Sequence, residues 1–128
     1  MEQPSSRRVR PLVEEVAEFV VWWATQVECA SAAARLRREG LITPGQEARA
    51  LDLLAQLWES VVEVQPSSAV RTLAGRLLRT HPLRAADALQ LAAALVWAGT
   101  PAGDVVVTLD QRLAEAAALE GFRVVPSR

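Results

Sequence analysis

The sequence has no lysine and no tyrosine, a single cysteine and a single histidine. With only Cys29, a disulfide within the chain and any cysteine-based zinc site are excluded. All 14 basic residues are Arg, set against 15 acidic ones, for a net charge of -1. That balance excludes a protein that coats polyanions, yet leaves local arginine clusters free to meet a phosphate. The longest uncharged stretch, Ala88 to Gly103, holds Gln90 and ends in Gly-Thr-Pro-Ala-Gly. It falls short of the roughly 18–20 apolar residues of a bilayer span. No signal-peptide core occurs in Met1 to Arg8. These absences predict a soluble chain without a membrane partner, suited to a reducing cytoplasm.

What is present is a core-forming composition. The 128 residues are 51% hydrophobic and 23% charged, which fits one domain over residues 1–128 and excludes a disordered chain. Val9, Leu12, Val13 and Val16 form a helical stripe over Arg7 to Ala17. Phe19 to Trp23 reads as a buried strand, followed by a helix from Thr25 to about Glu39 that stops at Gly40. Thr43-Pro44-Gly45-Gln46 carries the cap, proline and glutamine of a helix start, and that helix runs through Trp58. Val61 to Val64 is a second strand, and Ser67 or Ser68 caps a helix that stops before His81. Arg84 to Trp97 is a helix with almost no polar face, which predicts burial on most sides. A third strand centred on Val105 to Val107, a helix over Gln111 to Glu120, and a strand Phe122 to Val125 complete the series. Strands alternating with helices predict an α/β fold with a single parallel sheet of four strands, flanked by helices.

Three acids stand where the pattern expects burial. Glu28 sits in an Ala-rich helix, Asp87 opens the apolar helix, and Asp110 directly follows the third strand. Each has a structural explanation. Glu28 can close a capping box with Thr25, Asp110 can cap the last helix, and the helix dipole with Arg84 suits Asp87. The topology adds a second reading, because parallel α/β sheets gather ligands outside the carboxyl ends of their strands. Carboxylates converging there call for a cation, and oxygen ligands without Cys or a well-placed His select Mg²⁺ or Mn²⁺. Such a site suits phosphoryl chemistry.

The segment Thr80-His81-Pro82-Leu83-Arg84-Ala85-Ala86-Asp87-Ala88-Leu89-Gln90-Leu91-Ala92-Ala93-Ala94-Leu95 resembles the signature of PIN-domain ribonucleases of the VapC toxin type. Val107 to Ala117, followed by Gly121, is similar to their last strand-acid-helix segment, and Thr25 to Ala32 to their segment with a glutamate. Three motifs in order are fairly specific, and they extend along essentially the whole chain. The resemblance implies a metal-dependent endoribonuclease, the toxin of a toxin–antitoxin pair, with RNA as substrate, a small antitoxin as partner and a homodimeric state. It makes Glu28, Asp87 and Asp110 the catalytic metal ligands for Mg²⁺ or Mn²⁺, and Thr108 the residue that orients the site. Arg84, one helical turn from Asp87, is the candidate for substrate contact.

The chain departs from the family at its start. Met1 to Ser5 looks like the loop before the family's second helix, so the domain reads as incomplete at its N-terminus, without the first strand and first acid. In the family that strand lies mid-sheet, and its loss would leave unpaired backbone on two neighbours. Either the start is assigned late or the truncation is real. A second function therefore stands beside the first: a catalytically impaired PIN-fold remnant that serves as a binding or dimerisation module. A third reading, a phosphoacceptor signalling domain, would want a lysine near the last strand, and there is none. His81 reads as a turn or surface residue, Cys29 as an inert thiol, Trp58 and Trp97 as packing residues, and only one of Trp22 and Trp23 can face the core.

Overall fold

A computed structural model describes residues 19–126. The helix expected over Arg7 to Ala17 lies outside them. The elements in order are β1 (Val20–Trp22), α1 (Thr25–Arg38), α2 (Pro44–Trp58), β2 (Val62–Val64), α3 (Ser68–Thr80), α4 (Ala85–Ala98), β3 (Val105–Val107), α5 (Gln111–Leu119) and β4 (Arg123–Val125). Within the described residues this is the expected alternation, with boundaries displaced by a residue or two.

Local chemistry explains most of the boundaries. Thr43 accepts from the Gln46 N–H at 3.0 Å, and the Gln46 side chain accepts from the Thr43 N–H at 2.8 Å, closing a capping box before Pro44. Ser67 caps α3 through the Val70 N–H at 3.2 Å. Helix α1 ends where Gly40 takes φ +76°, a region that costs a residue with a Cβ. There the Leu41 N–H reaches back to the Leu36 carbonyl at 2.9 Å, a Schellman ending.

Two expectations about α1 and the sheet need correction. Thr25 and Glu28 form no capping box: the N-cap is Ala24, already helical at φ -78° and ψ -7°, and no side chain caps the helix. The chain turns out of β1 at Trp23 and Ala24, so helical dihedrals begin one residue early and Thr25 lies inside the first turn. The four strands also form two parallel pairs rather than one continuous sheet. β1 pairs with β2 in the register Val20–Val62 and Trp22–Val64; β3 pairs with β4 in the register Val105–Arg123 and Val107–Val125. A largely apolar cavity of about 580 Å³ is lined by β1 and β3 together with residues of α4. Among the described residues no strand bridges the two pairs.

Helix α4 organises the core. It packs against α3, β1, β2 and α5, and Ala88, Leu91, Ala92, Ala93 and Leu95 are all buried along it. The predicted burial on most sides is therefore observed, although Val96 and Trp97 near its end are exposed. Leu91 joins Leu77 and Val70 of α3, Leu113 of α5, Phe122 and Trp22 in one cluster. Trp22 is buried and Trp23 is half exposed, as strand alternation requires. Trp97 is also half exposed and lines the cavity between the strand pairs, so it is not the packing residue that the sequence suggested. Helices α1 and α2 form a hairpin to one side, joined by an ion pair between Arg37 Nε and Glu47 Oε1 at 2.7 Å. Among the described residues, no helix is long and apolar enough to cross a membrane.

Leu77 has no exposed surface, and it carries the α3–α4 contact. Truncation to Ala removes buried methyl groups and leaves a cavity, which costs about 2–5 kcal/mol in a packed core. Urea unfolding of Leu77→Ala should show a loss in that range. A loss below about 1 kcal/mol would mean that the α3–α4 seam is loosely packed.

Candidate active site at the strand ends

Asp87 lies in the first turn of α4, and Asp110 is the N-cap of α5 directly beyond β3. Each position follows from the sequence. Arg84 stays extended at φ -81° and ψ 161° and α4 begins after it, which puts Asp87 at the positive end of the helix dipole. Asp110 ends the β3 segment in extended backbone, and its Oδ1 accepts from the Leu113 N–H at 2.8 Å. Thr108, two residues earlier, accepts the Asp110 N–H on its hydroxyl at 3.1 Å and fixes the backbone from which the carboxylate projects.

The two acids line one open cavity of about 850 Å³, together with Arg84, Arg112, Gln111 and Glu115. Partial burial pushes the Asp87 carboxyl above its ordinary range, and the neighbouring Asp110 pushes it further. The Arg84 guanidinium and backbone N–H pull it back down, as does Arg112. A carboxyl raised by burial and by a neighbouring acid, flanked by two guanidiniums, is a charge pattern that a cation would relieve and a phosphate could approach.

Glu28 stands apart from this pair. It does not line the cavity and is not among the charges that act on Asp87. Its carboxylate instead accepts a hydrogen bond from Gln90, one turn along α4 from Asp87. Glu28 is thus tied to the helix that carries Asp87 without joining its cavity. Among the described residues, no group of three or more His, Cys, Asp or Glu side chains could together hold a metal ion. The acids are also less buried than the sequence pattern suggested: Glu28 and Asp87 are half-buried and Asp110 is exposed. First turns at strand ends open toward solvent, so apolar neighbours along the same helix stripe do not enclose them. A two-carboxylate donor set still fits Mg²⁺, which keeps several waters and is often held by one or two carboxylates plus a substrate phosphate.

Sequence reasoning missed Arg112 and Gln90. Arg112 follows the Asp110 cap by two residues, and Gln90 is the only uncharged polar residue of α4. Either peculiarity could have drawn notice. His81 needs a correction: it is the C-cap of α4's predecessor α3, but it is buried rather than on the surface, with Nε2 2.7 Å from Glu120 Oε2. Glu120 also pairs with Arg76 at 3.0 Å, so a structural ion-pair cluster holds the ends of α3 and α5 together. Cys29 is half-buried; burial and the adjacent Glu28 push its thiol up, which leaves it protonated and poorly nucleophilic.

A parallel α/β domain with a carboxylate pair beyond its strand ends belongs to the broad class of α/β proteins whose ligands sit at that edge. Comparison with known proteins narrows the class. The PIN domain pattern matches residues 2–119, and the chain belongs to the PIN domain family. It is 42% identical over 71 residues to Ribonuclease VapC45 of Mycobacterium tuberculosis (strain CDC 1551 / Oshkosh). The same identity and length relate it to Ribonuclease VapC49 of Mycobacterium tuberculosis (strain ATCC 25618 / H37Rv). Each alignment takes in 56% of this chain and 48% of the relative, so the chain spans about half the length of the curated relatives it matches.

The raised Asp87 carboxyl sets a stability test with a definite sign. A carboxyl that binds its proton more tightly when folded contributes a penalty that grows as pH rises through the window above its unfolded value, about 3.9. Without divalent cations at pH 7, Asp87→Asn should therefore melt at the same temperature as the parent or higher. That advantage should shrink as pH falls toward 4, where the parent takes up the proton. A much lower melting temperature for the variant at pH 7 would show that the helix dipole and Arg84 outweigh the repulsion.

Proposed function

We propose that the chain is a metal-dependent endoribonuclease of the toxin type, cleaving RNA phosphodiesters at the Asp87–Asp110 cavity. The observation that carries this reading is the pairing of the two carboxylates, with Arg84 and Arg112 beside them, in one open cavity. Family membership and two relatives named ribonucleases support it. Asp87 and Asp110 would hold Mg²⁺ or Mn²⁺, with Glu28 as the third acid. When bound, the ion would polarise a phosphate and lower the pKa of a water. The chain's own residues do the rest. Arg84 and Arg112 grip phosphate oxygens, for which the planar guanidinium is well shaped. Thr108 and the Leu113 N–H keep the Asp110 carboxylate from rotating away. Gln90 holds Glu28 at the start of α1.

The toxin role carries a small antitoxin as partner, a homodimeric state and a cytoplasmic site of action. Helix α2 offers a surface for such contacts, since none of its residues is buried and Leu51 and Leu53 are exposed. The second reading, a binding or dimerisation module, is favoured by one observation: Glu28 does not share the cavity of the acid pair.

Cleavage of a fluorophore-labelled RNA in Mg²⁺ separates the two. Of the three expected ligands only Asp87 and Asp110 share the cavity, and a catalytic group displaced by about 1 Å can cost on the order of 10²-fold in rate. The chain should therefore cleave weakly, and both EDTA and Asp110→Asn should abolish the cleavage. Cleavage that survives the combined Glu28→Gln, Asp87→Asn and Asp110→Asn changes would defeat the assignment. Complete inactivity in Mg²⁺ and in Mn²⁺, with the fold intact, would favour the binding module.

A further inference from the structure

The Asp87–Asp110 cavity has a wall whose chemistry the phosphodiester reaction leaves unused. Helix α5 buries Leu113, Ala114, Ala116 and Ala117 and turns Gln111, Arg112 and Glu115 outward, and all three of these line the cavity. One turn further along, the outward positions Ala118 and Leu119 are apolar. The outward polar groups of the helix are thus gathered at the site. Arg112 suits a phosphate, and the other two suit a different partner. Gln111 Nε2 donates to Glu115 Oε1 at 3.1 Å, the contact of i, i+4 neighbours on one helix face.

A carboxylate is out of place in a cavity that receives a phosphodiester, because the two repel. Glu115 is not explained as a metal ligand: among the described residues, no three acids are arranged to hold a cation together. Nor does an arginine hold it as Arg37 holds Glu47 and Arg76 holds Glu120; its partner is a neutral amide. A carboxylate accepts from N–H groups, and the parts of RNA that carry N–H groups are the base edges. After the Gln111 bond, both Glu115 oxygens keep lone pairs and Gln111 Nε2 keeps one hydrogen. The pair therefore offers one donor beside two acceptors. The pairing edge of guanine runs in the complementary order, with O6 as acceptor and N1–H and the N2 amine as adjacent donors. Adenine and cytosine set a single donor group beside a ring nitrogen whose lone pair the carboxylate repels. Uracil sets one donor between two acceptors.

We propose that Gln111 and Glu115 form a base-reading subsite that takes the pairing edge of an unpaired guanine, beside the phosphate held by Arg84 and Arg112. The inference rests on the ribonuclease reading for its substrate and adds which nucleotide the site selects. Glu115 accepts from N1–H and the N2 amine, and Gln111 Nε2 donates to O6. The cavity volume of about 850 Å³ lies within the range of small-ligand pockets. Sequence-specific proteins read RNA in this way, from the edges of bases splayed out of a single strand. The bond between the two side chains orders them before the base arrives, which lowers the entropy cost of recognition. The carboxylate then acts twice: it attracts the one edge with two donors and repels the lone pairs that the other bases present.

The test is fluorescence anisotropy of the full chain with a labelled uridine hexanucleotide and its versions carrying one central guanosine, adenosine, cytidine or inosine. EDTA is present throughout, so that binding is read without cleavage. The guanosine RNA should bind about tenfold or more tightly than the uridine, adenosine and cytidine RNAs. Inosine, which lacks the N2 amine, should lose at least about threefold of that advantage. Glu115→Gln should bring the guanosine preference below about twofold while affinity for the all-uridine RNA stays level or rises, because a repelling charge is gone. Gln111→Ala should reduce the preference by a smaller factor. If Glu115→Gln tightens every RNA equally and keeps the preference, Glu115 acts through charge alone and the proposal fails. Equal affinity of the parent for all five RNAs would overturn it and leave the ribonuclease reading standing. A guanosine preference in a chain that does not cleave RNA in Mg²⁺ or Mn²⁺ would uphold the subsite and favour the binding module. Failure to bind any of the RNAs would overturn both.

Discussion

The burial of α4 is the constraint on which the rest of the structure depends. Its buried residues, Ala88 to Leu95, pack among α3, α5 and both strands of the first pair, so the helix is held from several sides. Small side chains make this possible, because Ala88, Ala92 and Ala93 allow neighbouring elements to approach closely while Leu91 and Leu95 fill the gaps. Part of the candidate chemistry is referenced to that helix. Its first turn carries Asp87, its second turn carries Gln90 and through it Glu28, and its flank forms a wall of the cavity between the strand pairs.

The candidate site combines a rigid mount with an electrostatic conflict. Asp110 is doubly fixed, by its own cap to Leu113 and by the Thr108 hydroxyl on its backbone. Asp87 is brought near it by the packing of α4 on α5 and is held partly out of water, while Asp110 is exposed. The Asp110 charge adds to partial burial in raising the Asp87 carboxyl, and the nearby guanidiniums offset only part of it.

Much of this was legible in the sequence, and the failures have physical causes. The apolar period of Arg84 to Trp97 announced the central helix, and Thr43-Pro44-Gly45-Gln46 announced a capping box that the structure contains. Asp110 was recognisable as a cap because a short strand precedes it and a helix follows. The Thr25–Glu28 box failed because the backbone of Ala24 is already helical, a matter of how the chain leaves β1 and not of local residue type. The single sheet failed because each strand's pattern reports its own burial and not which edges find partners. Gln90 and Arg112 escaped notice because their partners, Glu28 and Asp87, are brought to them by tertiary packing. His81 was misplaced for the same reason: its burial depends on Glu120, 39 residues away.

The central claim is that Asp87 and Asp110 together form a cation site. Binding of Mn²⁺ to the full chain, followed by electron paramagnetic resonance as loss of the free-ion signal, measures this without reference to catalysis. The account predicts saturable binding of Mn²⁺ to the parent, competition by Mg²⁺, and at least tenfold weaker binding in both Asp87→Asn and Asp110→Asn, since each removes a carboxylate ligand. Equal affinity in the parent and both variants would contradict it.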